Sequence, residues 1–327
     1  MTGAIPRDAP QPAIGADSDA VIAQSLFKTF RIRGARGRGH HQFTAVDDVS
    51  FSVGRGQSLG IVGESGSGKT TVARMLSGLE RATGGTIVVA GRDRSVPVRN
   101  ARERRRRGRE LQIVFQDPYT SLDPRQRIGH CLDEVLRLHT ALNDEQRRAR
   151  VGELLDHVGL DERHARSRPR ELSGGQRQRA AIARALAAEP IAIVLDEAVS
   201  ALDVSIQAQV LNLLNRLRTD TGVAYIFISH NLAVVRQVTD EALVLQRGRV
   251  VERGPTEKVL DRPQHEYTRR LLASIPEPGW DPHRLSAKDH RHAAPTAEHG
   301  GDPAALELGA ESISATEIVS DTESESR

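Results

Sequence analysis

The sequence predicts an α/β fold with a largely parallel sheet, and three features predict it. Short apolar runs alternate with amphipathic helical segments through the middle of the 327 residues, the pattern of strands joined by crossover helices. The run 57–63 enters a Gly-rich loop that opens a helix over 70–79. A second run, 191–195, ends in two adjacent carboxylates, Asp196 and Glu197.

Taken in order, residues 1–20 are rich in Pro, Ala and Gly and are expected to be disordered. Stretches 21–30, 45–53 and 86–90 read as strands of a separate, antiparallel layer. Ile128, Leu132, Val135 and Leu136 mark one helix by their spacing, and Val151, Leu154, Leu155 and Val158 mark the next. Together they place an all-helical insertion over about 117–170, interrupting the α/β core. Beyond it, 223–229 and 241–246 are short buried-strand candidates. The helix 205–218 carries Ile206, Val210, Leu213, Leu214 and Leu217 on one face. There is no internal repeat. From residue 281 onward apolar periodicity is lost and the chain ends in the acidic, Ser-rich DTESESR, which reads as a flexible tail.

Composition narrows the classes. The 46 Lys and Arg against 43 Asp and Glu leave a net charge of +3, which does not by itself imply a nucleic-acid partner. The arginine run 102–109 invites a nucleic-acid or acidic-lipid reading, but a solvated surface segment is the more ordinary account of such a run. Cys131 is the only cysteine, so an internal disulfide or multi-cysteine metal site is excluded. The N-terminal segment lacks the apolar core of a signal peptide, and no stretch reaches the roughly 18 apolar residues that span a bilayer. Any membrane role is therefore expected to come through partners.

Three motifs carry chemistry. Gly63-Glu64-Ser65-Gly66-Ser67-Gly68-Lys69-Thr70 matches the phosphate-binding loop pattern. Its glycines let the backbone curl so that successive N–H groups point at an anion. The following helix, with Thr71 next to Thr70, adds its N-terminal dipole. Lys69 supplies a charge for the β- and γ-phosphates, and the Thr70 hydroxyl suits Mg²⁺. In the second motif Asp196 is placed to hold Mg²⁺ through water, and Glu197 to act as general base toward an attacking water. Strands often end in acidic residues, so this signal gains its weight from lying downstream of the phosphate loop. The third motif is Leu172-Ser173-Gly174-Gly175-Gln176, a Ser N-cap and exposed glycines at a helix start, which makes a second anion site. Alone it would read as an ordinary cap.

In this order, with Gln116 between the first and third motifs and Ser200-Ala201-Leu202-Asp203 and His230 after the second, the chain resembles the ABC (ATP-binding cassette) ATPase family. LSGGQ is that family's signature, and the resemblance runs from about residue 21 to 278. It implies a P-loop NTPase (RecA-like) core with an antiparallel β subdomain and an inserted α-helical subdomain. The ATPase domain would occupy 21–260, a C-terminal extension 261–280 and the tail 281–327. It further implies that ATP and Mg²⁺ are bound and that ATP is hydrolysed. Two such subunits would pair head to tail, Lys69 and Thr70 of one facing Ser173, Gly174 and Gly175 of the other. By the same resemblance Gln116 senses Mg²⁺ and the γ-phosphate, Asp203 crosses the dimer interface, and His230 contacts the γ-phosphate. The adenine-stacking aromatic would come from the antiparallel layer, with Phe30 the first candidate and Phe43 the second.

The resemblance narrows to the peptide and nickel importer branch through 62–66, 114–118, 200–210 and the C-terminal His265-Glu266-Tyr267-Thr268-Arg269-Arg270-Leu271-Leu272. The branch usually has Pro where Glu266 stands, and Pro-Thr or Pro-Val where this chain has Ala198-Val199. Some members bind an iron–sulfur cluster through C-terminal cysteines, which this chain lacks there. The implied partners are a second ATPase subunit (a different one in the usual arrangement, an identical copy in the other), two membrane permeases and, indirectly, an extracytoplasmic solute-binding protein. No nucleic acid is implied, and the expected location is the cytoplasmic face of the membrane. A same-type ATPase in a soluble enzyme complex, such as phosphonate C–P lyase, is the alternative. An ABC protein acting on ribosomes or DNA would usually show a second cassette or a long coiled coil.

Overall fold

The computed structural model describes residues 19–33, 40–117 and 121–274. The segment expected to be disordered lies outside these residues up to 18, and the tail and the end of the C-terminal extension lie outside them too. An antiparallel layer comes first, with sheet order β2–β1–β4–β5: β1 (Asp19–Arg33), β2 (His40–Gly54), β4 (Gly84–Val89) and β5 (Arg92–Asp93). β1 pairs antiparallel with both β2 and β4. β1 and β2 are longer at both ends than the expected strands, because cross-strand pairing carries both beyond their apolar runs.

The second sheet holds β3 (Ser58–Val62), β6 (Leu111–Val114), β7 (Ala192–Asp196), β8 (Ala224–Ser229), β9 (Glu241–Gln246) and β10 (Arg249–Pro255). Their order is β10–β9–β3–β8–β7–β6, parallel throughout except for the β9–β10 hairpin. β3, β7 and β8 are buried along their whole length, as strands covered on both faces must be. β6 follows the arginine run and was not legible as a strand, since four residues are too few to show a period. β9 and β10 turn through Arg247 and Gly248, both at positive φ, the geometry of the tight hairpin whose twist matches its strands.

Among the described residues the helices include α1 (Lys69–Ser77), α2 (Ala101–Glu110), α3 (Ile128–His139), α4 (Asp144–His157), α5 (Glu162–Arg166), α6 (Gly174–Leu186), α7 (Val204–Thr221), α8 (Leu232–Val238), α9 (Thr256–Asp261) and α10 (Glu266–Ala273). α2 is the arginine run. Arg102, Arg104, Arg105, Arg106 and Arg109 are exposed, as a solvated face requires, but Arg107 turns inward to Glu103 at 2.6 Å. The helix ends on a buried Glu110 that accepts from Arg92 and Arg94, each at 2.7 Å.

Two apolar cores flank the parallel sheet. One joins the antiparallel layer, α1 and one sheet face through Leu26, Phe51, Ile61, Met75, Val194 and Ile228. The other runs unbroken from α3 and α4 (Leu132, Leu136, Leu154, Leu155) through α6 and α7 to Tyr225 and Phe227 of β8. The helices within the stretch read as an insertion therefore share a core with the sheet rather than forming one of their own. A third, smaller cluster joins Val62 to α8, α9 and α10.

Candidate functional site

β3 ends at Val62, and Gly63 to Gly68 wrap from the sheet edge into α1. Gly63 and Gly68 have φ of 153° and 105°, and a side chain at either would collide with a backbone carbonyl, that of Leu245 at 2.2 Å or Ala45 at 2.4 Å. Only glycine lets the loop lie so close to its neighbours. The β9–β10 turn braces the loop: Gly248 N–H donates to the Ser67 carbonyl at 2.9 Å, and Asp47 N–H donates to the Gly248 carbonyl at 2.8 Å. Lys69 is buried and donates to the Gly63 and Glu64 carbonyls, each at 2.8 Å. Burial holds its ammonium below the ordinary lysine range, while the charges of Glu197, Asp196 and Glu64 oppose that shift. The Ser67 hydroxyl is buried without a hydrogen-bond partner.

A cavity of about 730 Å³ adjoins the loop, lined by Ser65, Thr70, Arg74, Phe115, Gln116, Asp117, Asp196, Glu197 and His230. Residues far apart in sequence meet here because β3, β6, β7 and β8 are parallel neighbours whose C-terminal ends share one edge. The Thr70 hydroxyl lies 3.5 Å from Asp196 Oδ1. Burial and then the adjacent Glu197 charge push the Asp196 carboxyl up to about 6. Glu197 itself sits at φ 50°, a left-handed conformation unfavourable for a non-glycine residue. It is held there by its N–H to the Ile228 carbonyl at 2.9 Å and by Ser200, whose N–H and hydroxyl donate to its carbonyl at 3.0 and 2.9 Å. These bonds fix the backbone from which the Glu197 side chain enters the cavity. Glu197 Oε1 meets His230 Nδ1 at 3.1 Å, which leaves the ring's Nε2 for another partner.

The donors suit Mg²⁺, a hard cation that takes a few protein oxygens and fills its shell with phosphate and water. Thr70, Asp196 and Gln116 are all on the cavity wall. Among the described residues no group of three or more His, Cys, Asp or Glu is arranged to hold a metal.

The signature residues lie elsewhere. Ser173 caps α6 in a capping box, its hydroxyl accepting from Gln176 N–H at 3.3 Å while Gln176 Oε1 accepts from Ser173 N–H at 2.9 Å. Gly174 is exposed, and Gly175 is buried where a side chain would meet Ile206 at 2.4 Å. None of Ser173, Gly174, Gly175 or Gln176 lines the cavity. Asp203 caps α7, accepting from Ile206 N–H at 2.9 Å and the Ser205 hydroxyl at 2.8 Å, and these bonds hold its carboxyl below the usual range. Phe30 and Phe43 face each other across β1 and β2, with the Lys28 ammonium over the Phe30 ring, and neither lines the cavity.

Sequence reasoning did not mark Arg74 or Phe115 as cavity residues. Arg74 was within reach of inspection, because it stands one helical turn after Thr70 on α1 and so shares its face. Phe115 was not, since its role follows from β6.

Comparison with known proteins places the chain among similar ones. Residues 46–200 match the family described as ABC transporter, and 251–301 match the oligopeptide/dipeptide transporter C-terminal region. The di/tripeptide transport ATP-binding protein DppF of Pseudomonas aeruginosa (strain UCBPP-PA14) is 46% identical over 262 residues, 80% of each chain. The glutathione import ATP-binding protein GsiA of Escherichia coli (strain K12) is 46% identical over 80% of this chain, which spans only 42% of that longer protein. A solved dimer of the ATP-binding cassette MJ0796 in a post-hydrolysis state, bound to ADP and Pi, superposes with a TM-score of 0.64 at 28% identity, covering 72% of this chain and 98% of the other.

Proposed function

The chain belongs to the ABC transporter ATP-binding family, and from that premise we propose that it is the ATP-hydrolysing subunit of an importer of peptides or similar small solutes. The observation that carries the chemistry is the cavity in which Thr70, Gln116, Asp196, Glu197 and His230 converge beside the phosphate loop. The match of 251–301 to the oligopeptide/dipeptide transporter C-terminal region carries the importer branch, and DppF is named for transport of di- and tripeptides. No helix among the described residues is long and apolar enough to cross a membrane, so coupling to transport needs permease partners. In this reading the protein works at the cytoplasmic face of the membrane.

ATP's phosphates lie against the loop 63–70, and Lys69 leaves the Gly63 and Glu64 carbonyls to meet the β- and γ-oxygens. Thr70, Asp196 and Gln116 would hold Mg²⁺, which would supply neutralising charge for those oxygens. Glu197, entering the cavity from that fixed backbone, orients and deprotonates the attacking water. His230 is hydrogen-bonded to that base and lines the cavity that takes the γ-phosphate. The second wall of the site is supplied by Ser173, Gly174, Gly175 and Gln176 of another cassette, which would meet the phosphates across a head-to-tail dimer. Asp203 lies at the same interface, and Phe30, or Phe43 at the exposed end of the hairpin, stacks on adenine. Hydrolysis then waits on closure of the dimer, the step that a transporter couples to movement. A heterodimer with a related cassette is the arrangement favoured by the branch.

Affinity capture of the tagged chain from detergent-solubilised membranes tests this. Two multi-span permeases and a second cassette are expected by mass spectrometry. Recovery of soluble enzymes alone would overturn the transport reading and support an ATPase of a soluble complex.

A further inference from the structure

The hydrolysis scheme gives no task to the C-terminal segment around Tyr267, yet the fold seats it against the phosphate loop. Through Tyr267 and Leu271 its helix, α10, shares an apolar cluster with Val62, the last residue of β3 before the loop, and with Val244 and Val259. The start of the helix is pinned from β10, where the Glu252 carboxylate accepts the N–H groups of Gln264 at 2.8 Å and His265 at 3.1 Å. His265 Nδ1 in turn accepts the Tyr267 N–H at 3.1 Å, capping the helix. Held in this way, Tyr267 is 3% exposed. Its hydroxyl accepts the backbone N–H of Glu64 at 3.0 Å. The carbonyl of that same Glu64 accepts from Lys69 at 2.8 Å. One loop residue is thus gripped from two sides, by the C-terminal helix through its N–H and by the phosphate-binding lysine through its carbonyl.

We propose that Tyr267 is a positioning residue for the phosphate loop, its hydroxyl fixing the Glu64 peptide so that the C-terminal extension sets the loop's readiness for nucleotide. The proposal rests on the reading of 63–70 as the phosphate cradle. The physical reason is the loop's own composition. Gly63, Gly66 and Gly68, all at positive φ, leave the backbone many conformations to lose when a ligand binds. A bond at the first non-glycine residue of the loop removes part of that cost in advance, which is preorganisation. Burial pushes the Tyr267 phenol up, so the group stays protonated.

The test is Tyr267→Phe in the full chain, which removes the oxygen and keeps the ring in its cluster. Binding is read with the fluorescent nucleotide mant-ADP and magnesium, alongside ATPase kinetics and thermal unfolding. The expected result is about a fivefold rise in Kd and KM, the size of one lost hydrogen bond, with kcat at saturating ATP and melting temperature nearly unchanged. Leu271→Ala, on the same helix and in the same cluster, should lower the melting temperature and leave Kd alone. Equal loss of affinity in both variants would assign the effect to packing and overturn the role of the hydroxyl. Wild-type affinity in Tyr267→Phe, with binding lost in Lys69→Ala, overturns the proposal and leaves the cradle standing. Wild-type affinity in Lys69→Ala removes the cradle and the proposal together.

Discussion

The proposed function gives the phosphate-loop wall and the signature helix the same task of meeting phosphate, but only the first lines a cavity within the chain. At the loop, the Thr70 hydroxyl of α1, the Asp196 and Glu197 carboxylates at the end of β7 and His230 after β8 face one cavity, and the Glu197 backbone is held in a left-handed conformation. At the start of α6, Ser173 and Gly174 are exposed, and the cap is satisfied by its own Gln176. One region is organised by the sheet and is ready without a partner. The other is a surface feature that, in the proposed function, gains its task when a second subunit brings phosphates to it. In that proposal the difference separates binding, assigned to one chain, from turnover, assigned to a pair.

Glu197→Gln should sharpen that separation most. It keeps the shape and removes the base, so turnover should fall about a thousandfold while an ATP-bound dimer accumulates in gel filtration. Retained hydrolysis would remove Glu197 as the base. Lys69→Ala should cost about a hundredfold in nucleotide affinity of the isolated chain, measured by calorimetry, because it removes charge-assisted contacts to phosphate. Gly174→Asp probes the other wall. A side chain there would make only ordinary contact with Leu202 at 3.8 Å, so the monomer should fold and bind nucleotide normally. A carboxylate facing the partner's phosphates should still lower turnover about tenfold or more. Weakened binding by the monomer would break the comparison.

The smallest effect concerns stability. The folded Asp196 carboxyl is pushed up to about 6 by burial and by Glu197, against about 3.9 in an unfolded chain. Between those values the folded state binds more protons, so stability from this group falls as pH rises, and the full penalty stands above about 6. Asp196→Asn should therefore stabilise the nucleotide-free protein by about 1 kcal/mol near pH 7.5, with the gain fading toward pH 4 in thermal unfolding. A gain of equal size at both ends would show that the carboxylate is not the cause.

Much of this was legible beforehand because it is written locally. The loop 63–70 declares itself by glycines whose positive φ no other residue accepts cheaply, and Ser173 by the capping pattern it completes with Gln176. β7 and β8 were visible as continuous apolar runs because strands buried on both faces carry no polar alternation. The order of these motifs sufficed to mark a nucleotide-hydrolysing cassette. What the sequence could not determine is which distant residues touch. The meeting of Glu197 with His230 depends on β7 and β8 lying side by side, and the place of Phe115 on the cavity wall depends on β6 lying beside β7. The reach of Tyr267 to Glu64 spans 203 positions of sequence and leaves no periodic or spacing signal. Local conformation is encoded in neighbouring residues and can be read from them. Contacts between strand ends arise from the packing of the whole sheet, and only the tertiary structure decides them.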